Sequence, residues 1–168
     1  KQKTAYEIVD CDWSSDVWLF RSVSRHVQVS GHFIHGLTTI FHAYSSIPQL
    51  TWKKAVFTDN EFDFNGSKLQ DTTSVLAMML ISSARQQFSE KIATRKLVLE
   101  GIWNRDHIDI GLDFDQEGFD NSFRIKSELD FLTDGTLLKI MPSRIRLLGK
   151  ALTINPENRI TKIGRAHV

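Results

Sequence analysis

The side chains best suited to chemistry are the carboxylates between Asp106 and Asp120. Asp113, Asp115, Glu117 and Gly118 fall at positions 1, 3, 5 and 6 of a calcium-binding EF-hand loop. Position 12 of such a loop is a bidentate Glu, and here it is Arg124, whose cation repels calcium. Ile108, Ile110, Leu112 and Phe114 alternate as a strand does, so Asp109, Asp113 and Asp115 read as its solvated face. His32, His35 and His42 suggest zinc, but a spacing of three sets His32 and His35 on opposite faces of a strand, with no cysteine partners nearby. Ser14 and Ser15 lack the Gly-x-Ser-x-Gly elbow of a nucleophilic serine and read as hydroxyls that satisfy a turn. No catalytic residue, metal site or cofactor is expected.

The elements that would position these groups follow from apolar alternation and breakers. Strands are expected near 5–12, 15–24 and 26–35, a helix near 37–46, a strand near 52–58, a helix near 70–90 and a strand near 96–103. Asp71-Thr72-Thr73 can cap the second helix, along which Leu76, Met79, Leu80, Ser83, Ala84 and Phe88 follow helical spacing. Pro48 stops the first. Between the first two strands lies the turn Asp10-Cys11-Asp12-Trp13-Ser14-Ser15-Asp16.

This turn and the order β-β-β-α-β-α-β resemble a half-domain of the actin-like and ribonuclease H-like superfold, whose first hairpin binds phosphate. Such a hairpin needs glycine for close backbone approach. Asp12, Trp13 and Asp16 stand there instead, so the phosphate turn is degenerate and ATP is not expected to bind. Among actin-like proteins with a decayed loop, the chain resembles the cytoplasmic domains of the PilM and GspL type. The resemblance implies an α/β fold, with a degenerate actin-like lobe over 1–103 and a smaller α/β lobe over 104–168. It also implies a non-enzymatic scaffold on the cytoplasmic face of a bacterial inner membrane. Its partners would be the pilus assembly or secretion ATPase and a polytopic inner-membrane platform protein.

Composition agrees with an ordinary folded chain: 168 residues, 41% hydrophobic and 24% charged. The single cysteine, Cys11, excludes an internal disulfide and reads as a small buried hydrophobe. The longest apolar run, Val75 to Ile81, has seven residues, too few to span a bilayer as a helix. The net charge of +1 hides an asymmetry. Lys139, Arg144, Arg146, Lys150, Arg159, Lys162 and Arg165 face one acid, Glu157, in residues 139–168, leaving the rest acidic. These seven cations are expected to meet an anionic membrane surface. Residues 1–103 hold 11 basic and 10 acidic side chains, too balanced for a nucleic-acid track, and no nucleic-acid partner is expected.

Beyond residue 103, Phe123–Leu132 and Thr136–Met141 flank Asp134-Gly135, a two-residue hairpin signal. Pro142 ends the second of these strands, and 145–152 is open between a short basic helix and a further strand. Trp103, Asp113, Asp115, Glu117 and Phe119 combine aromatic anchors with acids and form the expected partner-binding surface. The alternative is a metal-dependent ribonuclease H-like nuclease using Asp10, Asp12 and Asp59, although the 37–46 segment lacks the acid such a site takes from its first helix.

Overall fold

A computed structural model describes residues 7–12, 28–69, 74–155 and 157–163. They form one antiparallel sheet: β1 (Glu7–Asp12), β2 (Gln28–His35), β3 (Thr38–Trp52), β4 (Ala55–Leu69), β5 (Val75–Ser89), β6 (Ile92–Asn104), β7 (His107–Gln116), β8 (Ser122–Leu132), β9 (Gly135–Ile140), β10 (Arg144–Leu147), β11 (Lys150–Leu152) and β12 (Ile160–Ile163). Strands β1 to β8 pair in chain order. β9 and β10 then share one edge of β8, and β12 and β11 pair outside them. β9 and β10 are thus one strand interrupted at Met141-Pro142-Ser143, where proline cannot donate to the ladder. Asn158 repairs the matching gap between β11 and β12: its amide accepts from the Ile140 N–H at 3.0 Å and donates to the Ile140 carbonyl at 2.8 Å.

Among the described residues there is no helix, which overturns the α/β and actin-like expectations and, with them, the likeness to the PilM and GspL type. The expected helix 37–46 lies in β3, where Thr38, Thr39, Ile40, Phe41 and Tyr44 are β-branched or aromatic strand formers. Pro48 does not end a helix; β3 runs through it. The described part of the expected helix 70–90 is β5. Its helical spacing is a subset of a run that is apolar on both faces, and periodicity alone cannot assign such a run. The expected strand 52–58 straddles the β3–β4 hairpin. Strands near 5–12, 26–35 and 96–103 form, as does the 123–141 hairpin, and 145–152 becomes β10 and β11. The strand expected at 15–24 lies outside the described residues.

A line of irregularity crosses the long strands. Pro48 in β3 faces Asp59 in β4, which adopts φ +50°; in β6, Lys96 adopts φ +56° beside a shift of register between Arg95 and Val98. Side chains take over the interrupted hydrogen bonding. Asn60 donates to the Ile47 carbonyl at 2.9 Å, Ser83 Oγ to Thr58 at 3.2 Å, and Gln86 Nε2 to the Ser83 carbonyl at 2.7 Å. Thr94 Oγ1 donates to Gln86 Oε1 at 2.7 Å, and Gln86 is fully buried.

Among the described residues no second layer covers the sheet. Strands approach within 8 Å, Cα to Cα, only their ladder neighbours, and the buried hydrophobic residues are Ala77 and Ala93 alone among those described.

Candidate functional site: an open apolar sheet face

Because side chains alternate across a strand, the register fixes what each face presents. One cross-strand row runs Ser45–Phe62–Ile81–Leu99–Leu112–Ile125. The next runs Ala43–Phe64–Met79–Gly101–Ile110–Ser127–Ile140, and a third Phe41–Gly66–Ala77–Trp103–Ile108–Leu129–Leu138. No charged residue interrupts these rows. Phe41 and Phe64 meet at 5.7 Å between ring centroids, and Phe114 stacks on Phe123 at 4.4 Å. Small residues alternate with these rings: a methyl group at Gly66 would meet the Phe64 ring at 3.0 Å, and one at Gly101 would meet Met79 at 3.6 Å. The face is thus a continuous hydrocarbon surface in which the Phe64 ring lies against Gly66. Ser45, only 9% exposed, lies within it, and its hydroxyl has no hydrogen-bond partner among the described residues.

The opposite face is polar by the same alternation. A typical row is Tyr44–Asp63–Leu80–Glu100–Gly111–Lys126, and another is His42–Asn65–Met78–Ile102–Asp109–Glu128–Lys139. Here His107 Nδ1 lies 2.6 Å from Asp130 Oδ1 and Nε2 lies 3.3 Å from Asp109 Oδ1. The hydrogen bond to Asp130, then that to Asp109, raises the imidazole above its ordinary pKa of 6.5. Asp130 is held below 3.8, chiefly by His107 and further by Lys139. His107, Asp109 and Glu128 bring one potential ligand atom each within 4.8 Å of one another. With both ring nitrogens facing carboxylates, this arrangement favours an imidazolium in an ion-pair cluster over a metal-bound ring.

The expected partner surface is not brought together. Trp103 sits in a row of the apolar face at one end of β6, Asp113 and Asp115 lie on the opposite face of β7, and Glu117 and Phe119 occupy the β7–β8 turn at the other end. The acids are also partnered: Arg124 contacts Asp115 at 2.8 Å and Asp113 at 3.5 Å, and Arg85 contacts Glu117 at 2.7 Å. The EF-hand spacing therefore lies on a strand and a turn, with Arg124 directly opposite Asp113. His32 and His42 are cross-strand partners, and His42 reaches Asp63 at 3.3 Å.

Of the expected membrane-facing cations, Arg144, Arg146 and Lys150 gather at the β10–β11 hairpin. Lys139 is held by Asp130 at 3.5 Å on β9, Lys162 lies on β12 near the opposite end of the sheet, Arg159 precedes that strand, and Arg165 is outside the described residues. Asp10 and Asp12 lie on β1, whereas Asp59 lies three strands away on β4; Trp13, Ser14, Ser15 and Asp16 are outside the described residues.

What the sequence reading missed is the apolar face itself. Its signal was period-two alternation in Phe62/Phe64, Leu97/Leu99, Ile108/Ile110/Leu112/Phe114 and Phe123/Ile125. No family model, curated protein or solved structure matches the chain.

Proposed function

We propose that this chain is a non-catalytic binding module whose open sheet face shelters the hydrocarbon chains of an amphiphile. The observation that carries the reading is the set of three uninterrupted apolar rows from β3 to β8 with no layer over them among the described residues. Surface of this kind is costly in water, at about 25 cal/mol for each Å² of apolar area left exposed. A protein partner would also cover it. Protein interfaces, however, carry about one hydrogen bond per 100–200 Å² and favour Tyr and Arg anchors. These rows offer Ser45 and Ser127 as their polar side chains, and the Trp103 indole is already bonded to the Arg105 carbonyl at 2.6 Å. So dry a surface suits acyl chains better. The pilus or secretion scaffold and the nuclease both rested on the actin-like likeness, and neither gains support from the sheet.

An environment-sensitive apolar dye, displaced by a long-chain fatty acid, tests the reading. Wild-type protein is expected to bind dye saturably and release it to the fatty acid. Leu99→Asp, on the apolar face, is expected to lose binding by at least about tenfold. Leu80→Asp, on the polar face, is expected to retain it. Equal loss in both variants, or no saturable binding by the wild type, would remove the proposal.

A further inference from the structure

Because the strands run up and down in order, four of the described turns gather at one end of the sheet: β3–β4, β5–β6, β7–β8 and β10–β11. Neighbouring turns are tied together. Glu117 N–H donates to the Ala93 carbonyl at 2.9 Å, and the Leu148 N–H to Asn121 Oδ1 at 2.6 Å. Each turn carries or adjoins a large apolar side chain left exposed: Trp52, Ile92, Phe119 and Leu148.

Leu148 stands out among these. It is 80% exposed and adopts φ +52°, followed by Gly149 at φ +75°. Left-handed backbone at both central residues defines a type I′ hairpin turn, for which Asn-Gly is the favoured pair. Leucine is strained in that conformation, and although its N–H is bonded to Asn121, its side chain stays exposed.

The same end is cationic. Residues 50–57, 85–96, 115–122 and 144–152 contain Lys53, Lys54, Arg85, Lys91, Arg95, Lys96, Arg144, Arg146 and Lys150 against Glu90, Asp115, Glu117 and Asp120. Arg85, Lys96 and Arg146 meet acids at 2.7, 3.7 and 3.3 Å. The other cations have no ion pair among the described residues, and Lys53 Nζ lies 5.3 Å from the Trp52 ring centroid. At the opposite end, residues 33–41, 66–69, 102–109, 129–138 and 159–163 hold Lys68, Arg105, Arg159 and Lys162 against Asp106, Asp109, Asp130 and Asp134, which balance. The excess of cations is therefore confined to the first end.

We infer that the cationic end is a docking surface for an anionic lipid bilayer, with Trp52, Ile92, Phe119 and Leu148 entering the headgroup region while the lysines meet lipid phosphates. Clustered cations alone would suit any polyanion. Solvent-exposed apolar tips beside them fit an interface in which one side is wet and the other hydrocarbon. The inference does not depend on what occupies the apolar face, which lies along the strands rather than at their ends.

Co-sedimentation of the full chain with vesicles tests it. Wild-type protein is expected to pellet at low salt with vesicles of phosphatidylcholine and phosphatidylglycerol, and not with phosphatidylcholine alone. Replacing Lys53, Lys54 and Lys150 together with Glu should weaken partitioning by about a hundredfold or more. Leu148→Asn should weaken it by about tenfold while leaving the Tm equal or higher, since Asn suits the turn better. Charge reversal at Arg159 and Lys162, away from this end, should leave it unchanged. The inference is overturned if wild type binds both vesicle types equally or neither, if the Leu148→Asn protein binds as wild type does, or if a DNA duplex is bound more tightly than the anionic vesicles.

Discussion

His107 Nδ1 stands 2.6 Å from Asp130 Oδ1 across the β7–β8 ladder, while Lys139 approaches the other Asp130 oxygen at 3.5 Å. Asp130 is the hinge of a charge cluster on the polar face, and it raises the His107 pKa above 6.5. A raised histidine pKa gives stability that is complete below the unfolded value of 6.5 and is lost as pH climbs through the folded value. Asp130, lowered below 3.8, contributes above 3.8 and loses its contribution as pH falls through its folded value. The pair therefore helps most between about 4 and 6.5. The His107 ring, followed by NMR, is expected to titrate above 6.5 in wild type and to move down in Asp130→Asn. An unchanged titration in that variant would contradict the pairing.

Gln86 is expected to be the most sensitive polar position in the sheet. It is fully buried and bonded to both the Ser83 carbonyl and the Thr94 hydroxyl. Gln86→Ala leaves both groups unsatisfied and opens space, at a cost of about 2–3 kcal/mol. Chemical denaturation should report a lower midpoint with little change in slope. A loss below about 0.5 kcal/mol would show that the bend is held by something else.

Asn158 replaces a missing rung beyond the β9–β12 ladder by bonding both backbone groups of Ile140. Asn158→Ala should cost about 1–2 kcal/mol and act locally. Amide exchange at Ile140 and along β12 is expected to quicken, with exchange in β4 to β6 unaffected.

How far the sequence could be read divides along physical lines. The strands β2, β6 and β8 and the hairpin into β9 were legible, because alternation and a turn signal coincide there. β5 was not: Leu76, Met78 and Leu80 make its polar-side positions apolar too, so strand and helix patterns overlap. β3 is hidden by Pro48, which has the look of a helix stop but occupies the bend opposite Asp59. The aspartates of β7 share one face, where Asp109 and Asp113 are wet but Asp115 is only 16% exposed. Their neutralisation by Arg124 depends on register, and so does the merging of single alternating strands into one apolar face, because no local window contains the partner strand.

A photoactivatable fatty acid carrying a diazirine near mid-chain, crosslinked to the folded protein and mapped by mass spectrometry, tests the apolar face most directly. Adducts are expected at Phe64, Met79, Leu99 and Leu112, competed away by unlabelled fatty acid. Adducts confined to Leu76, Met78 and Leu80 on the other face, or labelling that unlabelled fatty acid does not reduce, would contradict hydrocarbon binding on this sheet.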